Sequence, residues 1–531
     1  MAEADEESDW LTAASRQDHL NVAHAMSRHR QRHCPPFRLL PEQVRSDLAQ
    51  IHGDVALLLA TMRAAAAAAG PAGDADQAPF VVEHCLEQLE LATCSAPAQC
   101  RALLAQLDAA TMLIAAVGDH DRQPLAAAAA LRVLAHVSAA CAADAAAAAA
   151  AAAAFAAAGA LMALAGVIST SHTETLVELA CSGAQRTCSC PPTIITCVDE
   201  QRVLAAAVTG ALEAWPRSAG VQSAGLRALR APGLRPHAPA HLCVQLATAA
   251  LLRYGSALPQ QRLHGVARAH AAATCAEALH LLRALLSDGA AAPSAAAAAF
   301  IAADAVAAVT EALEWHAADV PVLVAGWQAV HAACLLVHRV CRHVPKRARA
   351  PYTTLQRAGR CFANTTRQYN PAAIALNQPT TSLQLQHYAA PLSSDAAMWR
   401  LLEDEAVHCR LAELAVRAGR EHPRVAPLQW RCLAAVCALQ EVCAGAGKEY
   451  AARGGLQQLA RVLAEELEHA ALVEQAARLV AQLARSSFTA RSTLGSHGCA
   501  AAVRRALYLH RAHRGVQALG ARALAALREA P

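Results

Sequence analysis

The sequence predicts an all-α protein built as a solenoid of helical repeats. Three observations predict it: an apolar content carried by helix formers, a chain too long for one core, and a sequence block that recurs in register. The 531 residues exceed the roughly 250 to 300 at which a single core stops growing. The chain is therefore several domains or one elongated array. Apolar residues make up 55% and aromatic residues only 3%, so the apolar content is mostly Ala and Leu, which favour helix over strand.

The recurring block decides between these. Ala205 to Leu229 reads AAAVTGALEAWPRSAGVQSAGLRAL, and Ala500 to Leu524 reads AAAVRRALYLHRAHRGVQALGARAL, aligned without a gap 295 residues apart. A third copy, VTEALEWHAADVPVLVAGWQAV, runs from Val309 to Val330. With the first Val as position zero, all three carry Ala-Leu at +3 and +4, Val at +13 and Gly at +17. Gly is only 25 of 531 residues, so Gly225, Gly326 and Gly520 in one register are a strong signal. A weaker fourth copy starts at Leu459, with Leu463, Leu472, Ala476 and Val480 in the frame, and a fifth is placed from Ala412, with Val425 and Leu433. These last starts are 47 and 44 residues apart, a spacing expected of helical repeats.

The spacing has a physical reading. Positions zero and +4 share one face of a helix, while +13, +17, +20 and +21 share one face of a second helix beyond a polar turn. A single repeat cannot bury both faces, so stability must come from stacking on its neighbours.

The run Gly454, Gly455, Leu456, Leu459, followed by V-Q-x-x-G-x-x-A-L on the next helix, resembles the armadillo repeat. The likeness is clear over 405 to 529, good at 205 to 230 and 300 to 335, and faint before 160. It implies a right-handed superhelix of helical repeats that binds other proteins and carries no catalytic machinery. In the nuclear-import adaptors sharing that fold, a Trp and, four residues on, an Asn hold an extended peptide. The corresponding positions here are +19 and +23, and the Trp-Asn array is absent: +19 holds Arg227, Gln328, Arg431, Arg478 and Arg522, and +23 holds Ala231, Ala332, Ala435, Gln482 and Ala526. These five +19 residues are the candidate partner-binding set, an arginine ladder suited to an acidic peptide or helix, because a guanidinium is a planar fork for carboxylate or phosphate.

Organisation is expected as follows: a polar tail at 1–35, a divergent Ala-rich helical region at 36–200 with a linker at 64–79, repeats at 201–342, an insertion at 343–398, and C-terminal repeats at 399–531. The insertion carries Pro345, Pro351, Pro371, Pro379 and Pro391 and breaks the pattern. Residues 145 to 173 carry no formal charge and are long enough to span a bilayer, but most are Ala, and a helix or loop leading into a repeat is the preferred reading.

Charge and motifs exclude several classes. The net charge is +4, and 44 of the 46 basic residues are Arg, a bias that looks like coding composition rather than a nucleic-acid surface. A nucleic-acid-binding helical repeat is the alternative reading, disfavoured by that charge and by the few aromatics. The 19 cysteines are scattered through apolar stretches and read as buried thiols in a reducing compartment. Cys181, Cys188, Cys190 and Cys197 fit zinc spacing poorly, and His19, His24, His29 and His33 with Cys34 read as incidental to a polar tail. Trp327 and Trp430, both placed at +18, read as half-buried packing. No P-loop, dinucleotide fingerprint, H-E-x-x-H or G-x-S-x-G is present. The expectation is a non-enzymatic protein-binding scaffold with no cofactor, metal or small-molecule substrate. The acidic N-terminus lacks an apolar core, so a cytoplasmic location is expected; nucleus and cilium are equally open to such a scaffold.

Overall fold

The computed structural model describes residues 54–68, 78–106, 108–141, 144–189, 197–256, 266–287, 299–300, 303–343 and 405–528. Among the described residues there are 22 α-helices, one 3-10 turn at Arg235–His237 and no strand. The fold is an all-α solenoid. The chain divides into two compact units, Met1–Ala238 and Pro239–Pro531. The expected tail at 1–35 and the insertion, apart from His343, lie outside the described residues.

In the first unit the helices are α1 (Val55–Ala68), α2 (Ala78–Ser95), α3 (Pro97–Leu104), α4 (Ala109–Gly118), α5 (Pro124–Cys141), α6 (Ala145–Ala157), α7 (Ala160–Thr170), α8 (Glu174–Cys188), α9 (Val198–Ala214) and α10 (Ala219–Arg230). One stack runs α2, α5, α8, α10, and a second runs α4, α7, α9 beside it. The Ala-rich segment 145–173 resolves here. Asp144 accepts from the backbone N–H groups of Ala146 and Ala147 and so starts α6. Gly159, at φ 78°, then turns the chain, and the two helices α6 and α7 meet at 66°. By length and composition α5 is long and apolar enough to cross a membrane. In this fold its Ala127, Ala130, Leu131, Val133 and Val137 are buried, and the helix packs on α2, α4 and α8.

The second unit contains α11 (Ala240–Tyr254), α12 (Val266–Ser287), α13 (Ala305–Trp315), α14 (Val320–His343), α15 (Glu405–Glu421), α16 (Ala426–Val442), α17 (Ala444–Ala452), α18 (Gly455–Glu465), α19 (Ala470–Ser486), α20 (Phe488–Ser496), α21 (Cys499–Leu509) and α22 (Arg514–Arg528). The stack α12, α14, α16, α19, α22 forms one layer, and α11, α13, α15, α18, α21 form the other. The last two repeats are triplets with a short first helix, α17 or α20, lying against the preceding repeat.

Three features of the sequence frame acquire a cause. First, each glycine at +17 receives the leucine at +4 of its own repeat. A methyl group at Gly225, Gly326 or Gly520 would lie 2.7, 2.5 or 2.8 Å from the Cδ2 of Leu212, Leu313 or Leu507. Second, the Gln at +14 clamps the turn. Gln222 Nε2 donates to the carbonyls of Leu212 and Trp215 at 2.7 and 3.2 Å, and Gln517 repeats this on Leu507 and His510 at 2.6 and 3.2 Å. Third, a left-handed residue opens the second helix of a repeat: Gly454 at φ 92°, with Gly159, Gly498 and Asp304 at the corresponding places.

The same markers correct the fifth copy. Gln429 Nε2 donates to the carbonyls of Gly419 and His422 at 2.7 and 3.0 Å, which makes Gln429 the clamp at +14 and Ala415 position zero, not Ala412. The starts Ala415, Leu459 and Val503 are then evenly spaced, 44 residues each. This repeat departs from the pairing: Gly419 stands at +4 and Cys432 at +17, and the space beside Gly419 is taken by the Gln458 side chain of the following repeat. The shift also puts Trp430 at +15 and Arg431 at +16, so Trp430 and Trp327 are not equivalent. Trp327 is fully buried, whereas Trp430 is half-buried.

Histidines at +7 link successive repeats. The Nε2–H groups of His316 and His422 donate to the carbonyls of Tyr254 and Ala317, at 3.2 and 2.8 Å, and His510 does the same to Leu467 at 2.5 Å.

Candidate partner-binding surface

The predicted ladder residues fall in different surroundings. Arg227 is on α10 of the first unit and half-buried. The other four are in the second unit, on α14, α16, α19 and α22. Gln328 is buried, and its Oε1 accepts from Arg283 Nη1 of α12 at 2.5 Å, so it locks two helices together. Arg431 is half-buried, with its guanidinium 3.8 Å above the Trp430 ring. The residue at +19 on that helix is Ala434, which is buried, so Arg431 sits nearly one turn earlier than the ladder requires. Arg478 holds +19 on α19 and is half-buried, and Arg522 holds it on α22 and is exposed.

Two of these basic groups, Arg431 and Arg478, act on one histidine together with Arg283, which lies outside the ladder. His331 of α14 is half-buried, and its pKa is pushed below the usual histidine value, first by burial and then by Arg431, Arg478 and Arg283. Arg478 also acts on the Cys437 thiol, which burial pushes up to about 12. Cations carried by α12, α16 and α19 therefore each disfavour the charged form of this one imidazole of α14. Arg283 and His331 escape the sequence frame because no copy of the block marks α12 and because +22 was not among the positions compared; the Arg of HLLRALL was the available signal.

Arg478 makes no hydrogen bond or ion pair among the described residues. The contrast with the first unit is informative. There, Arg132 of α5 donates to Glu90 of α2 at 2.7 Å, and Arg186 of α8 donates to the Ala135 carbonyl. Beside Arg478, Gln482 Nε2 donates to Glu441 of α16 at 3.1 Å, while the Oε1 atoms of Gln475 and Gln482 have no partner among the described residues. The stripe Gln475, Arg478, Gln482 lies on one face of α19, spaced three and four residues apart.

Other constellations do not assemble a chemical site. An open cleft of about 460 Å³ between α13, α14, α15 and α16 is lined by Val306, Val309, Val330, Cys334, Leu411 and Leu439 among others, and no polar pair converges in it. Cys181 and Cys188 are buried two turns apart on α8, and Cys197 is exposed at the start of α9. No group of three or more metal-ligating side chains occurs among the described residues.

Such a stack of paired helices, presenting side chains from successive repeats, defines a helical-repeat solenoid. No family model matches the sequence, and no curated protein does. Solved structures do. One is a chain from work on how a phosphorylation switch controls the interaction between cadherin and beta-catenin, similar with a TM-score of 0.54 at 13% identity, over 91% of this chain and 77% of that one. Another is the karyopherin Kap121p bound to the SUMO protease Ulp1p, matched at a TM-score of 0.27 and 12% identity over 92% of this chain and 60% of that one.

Proposed function

We propose that this protein is a non-enzymatic scaffold of the armadillo type whose second unit receives an acidic segment of a partner protein across the third helices α14, α16, α19 and α22. The armadillo assignment is supported by the triplets α17, α18, α19 and α20, α21, α22, each with a short first helix set off by a left-handed glycine. A protein partner is supported by the fold shared with a chain studied for the interaction between cadherin and beta-catenin. Such a scaffold would act in the cytoplasm or a compartment open to it.

The observation that carries the reading is Arg478. A guanidinium cannot discharge itself by losing a proton, and leaving it half-buried with no hydrogen bond or ion pair among the described residues costs free energy that a carboxylate or phosphate partner offsets. Neighbouring Arg431 has its guanidinium carbon 3.8 Å from the centroid of the Trp430 ring, which restricts the side chain before a partner arrives. Arg522 continues the row on the next helix.

The test is affinity purification of the full chain from its native cell at mild salt, compared with the variant Arg431→Glu, Arg478→Glu, Arg522→Glu. A defined set of proteins lost from the variant is the expected result. An unchanged set places binding elsewhere, and deletion of 343–398 is then the next comparison.

A further inference from the structure

In all five aligned repeats the second helix ends at +6, and four of them hold a glutamate at +5 or +6: Glu213, Glu314, Glu421 and Glu465. The repeat of Val503 places Tyr508 and Leu509 there instead, 77% and 51% exposed. That change leaves a cation behind. In the two preceding repeats the Arg at +2 pairs with the Glu at +6, Arg417 with Glu421 at 2.8 Å and Arg461 with Glu465 at 4.0 Å. Arg505 holds +2 in the repeat of Val503, and +6 offers it only a leucine.

The surroundings add to the excess. Gln475 to Arg528 contains nine arginines and no aspartate or glutamate, a local imbalance that the net charge of +4 conceals. Arg504 and Arg505 lie one turn before Tyr508 and Leu509 on the same face of α21, and Arg511 and Arg514 follow at the turn into α22. All four are exposed, and none of their guanidiniums makes a hydrogen bond or ion pair among the described residues. Two nearby carboxylates face histidines, Glu474 at 3.9 Å from His513 and Glu466 at 3.7 Å from His469. An exposed apolar pair ringed by unpaired cations contributes nothing to folding and disfavours solubility.

We propose that the end of α21 and the turn after it form a docking surface for an anionic lipid membrane. The guanidiniums meet the lipid phosphates and carboxylates, the Tyr508 ring lies at the headgroup level, and Leu509 enters the acyl boundary. Charge complementarity alone fits any polyanion, and the apolar pair decides between them. Leu509 gains nothing on a phosphodiester backbone, and Tyr508 and Leu509 project outward where a peptide site would present a cleft. A planar anionic layer with an apolar interior meets all six side chains at once. This surface belongs to a second helix, so it neither requires nor excludes an acidic segment at Arg478 of the third-helix layer.

The experiment is co-sedimentation of the full chain with vesicles of phosphatidylcholine alone and of phosphatidylcholine with phosphatidylserine at roughly three to one, at physiological salt. Expected is binding to the mixed vesicles only. Each arginine near such a surface contributes about fivefold, so Arg504→Ala with Arg505→Ala should weaken binding about 25-fold. Leu509→Glu restores the sibling pattern and gives Arg505 its partner, so it should release the chain from the vesicles without lowering the melting temperature. No binding to the mixed vesicles, or equal binding by native chain and variants, overturns the proposal. Tighter binding of a Glu-rich peptide or a single-stranded oligonucleotide than of the vesicles, lost in the same arginine variant, overturns the lipid assignment in favour of that partner.

Discussion

At Gly326 an added methyl group would meet Leu313 Cδ2 at 2.5 Å and Leu279 Cδ1 at 3.6 Å, with both leucines buried. Replacing a helical glycine by alanine ordinarily gains about 1 kcal/mol of helix propensity. Overpacking a filled core costs about 1 to 3 kcal/mol, so the clash outweighs the gain. Gly326→Ala should therefore lose about 1 kcal/mol in urea unfolding, and Leu313→Val in the same chain should recover part of it; a Gly326→Ala variant more stable than the native chain would show that the glycine is not there for close approach. His331 gives a second prediction at this scale. Its pKa in the fold is held below that of the unfolded chain, so the unfolded state gains protons first on acidification. Its contribution is complete above the unfolded value of about 6.5 and is lost as pH falls through the lower folded value. The melting temperature should therefore drop less between pH 7.5 and 5.5 in His331→Gln than in the native chain.

Between elements, the histidines at +7 are the clearest polar links. His422 spans from one turn to the carbonyl of Ala317 in the preceding repeat at 2.8 Å. His422→Ala leaves that carbonyl without its donor and should cost about 1 kcal/mol in thermal unfolding, whereas a neighbouring exposed change such as Glu421→Ala should cost less. These links were not visible in the sequence, because a histidine in a polar turn carries no periodic signal. What was visible was the pair of helices per repeat and the glycine register, because both follow from side-chain periodicity. The fifth copy was placed three residues early for the same reason. A shift of three keeps apolar residues on one helix face, and the true zero and +4 positions hold Ala415 and Gly419 instead of the branched residue and leucine sought. The repeat at α7 carried a legible sign in Gly159, Leu161 and Leu164, the same spacing as Gly454, Leu456 and Leu459, but it was masked by the surrounding alanines. Of the candidate ladder in the second unit, Gln328, Arg478 and Arg522 stand at +19 and Arg431 does not. Sequence could not show that Gln328 is consumed by Arg283, since that contact depends on how adjacent repeats stack.

Over the whole molecule, the thiols report how burial is distributed. Burial pushes Cys85, Cys181, Cys243, Cys334 and Cys437 up to about 12, and Cys100 and Cys499 up to about 11. They come from both units and from almost every layer, as expected of a fold without a single centre. Thiolate is the reactive form, so brief alkylation at pH 7.5 should modify exposed Cys197 well before any of these, read by peptide mass spectrometry. Early labelling of Cys437 would mean that α16 and α19 part readily. The surroundings of Gly419 have a wider consequence. In the repeats of Val208, Val309 and Val503, a bulky side chain on the second helix fits a bare spot on the third within the same repeat; in the repeat of Ala415 the bare spot is on the second helix and is filled by Gln458 of the following repeat. The smallest portable cassette is therefore the matched helix pair in the first three, whereas the repeat of Ala415 has to travel with its C-terminal neighbour, and a duplication that separated the two would leave Gln458 without its seat.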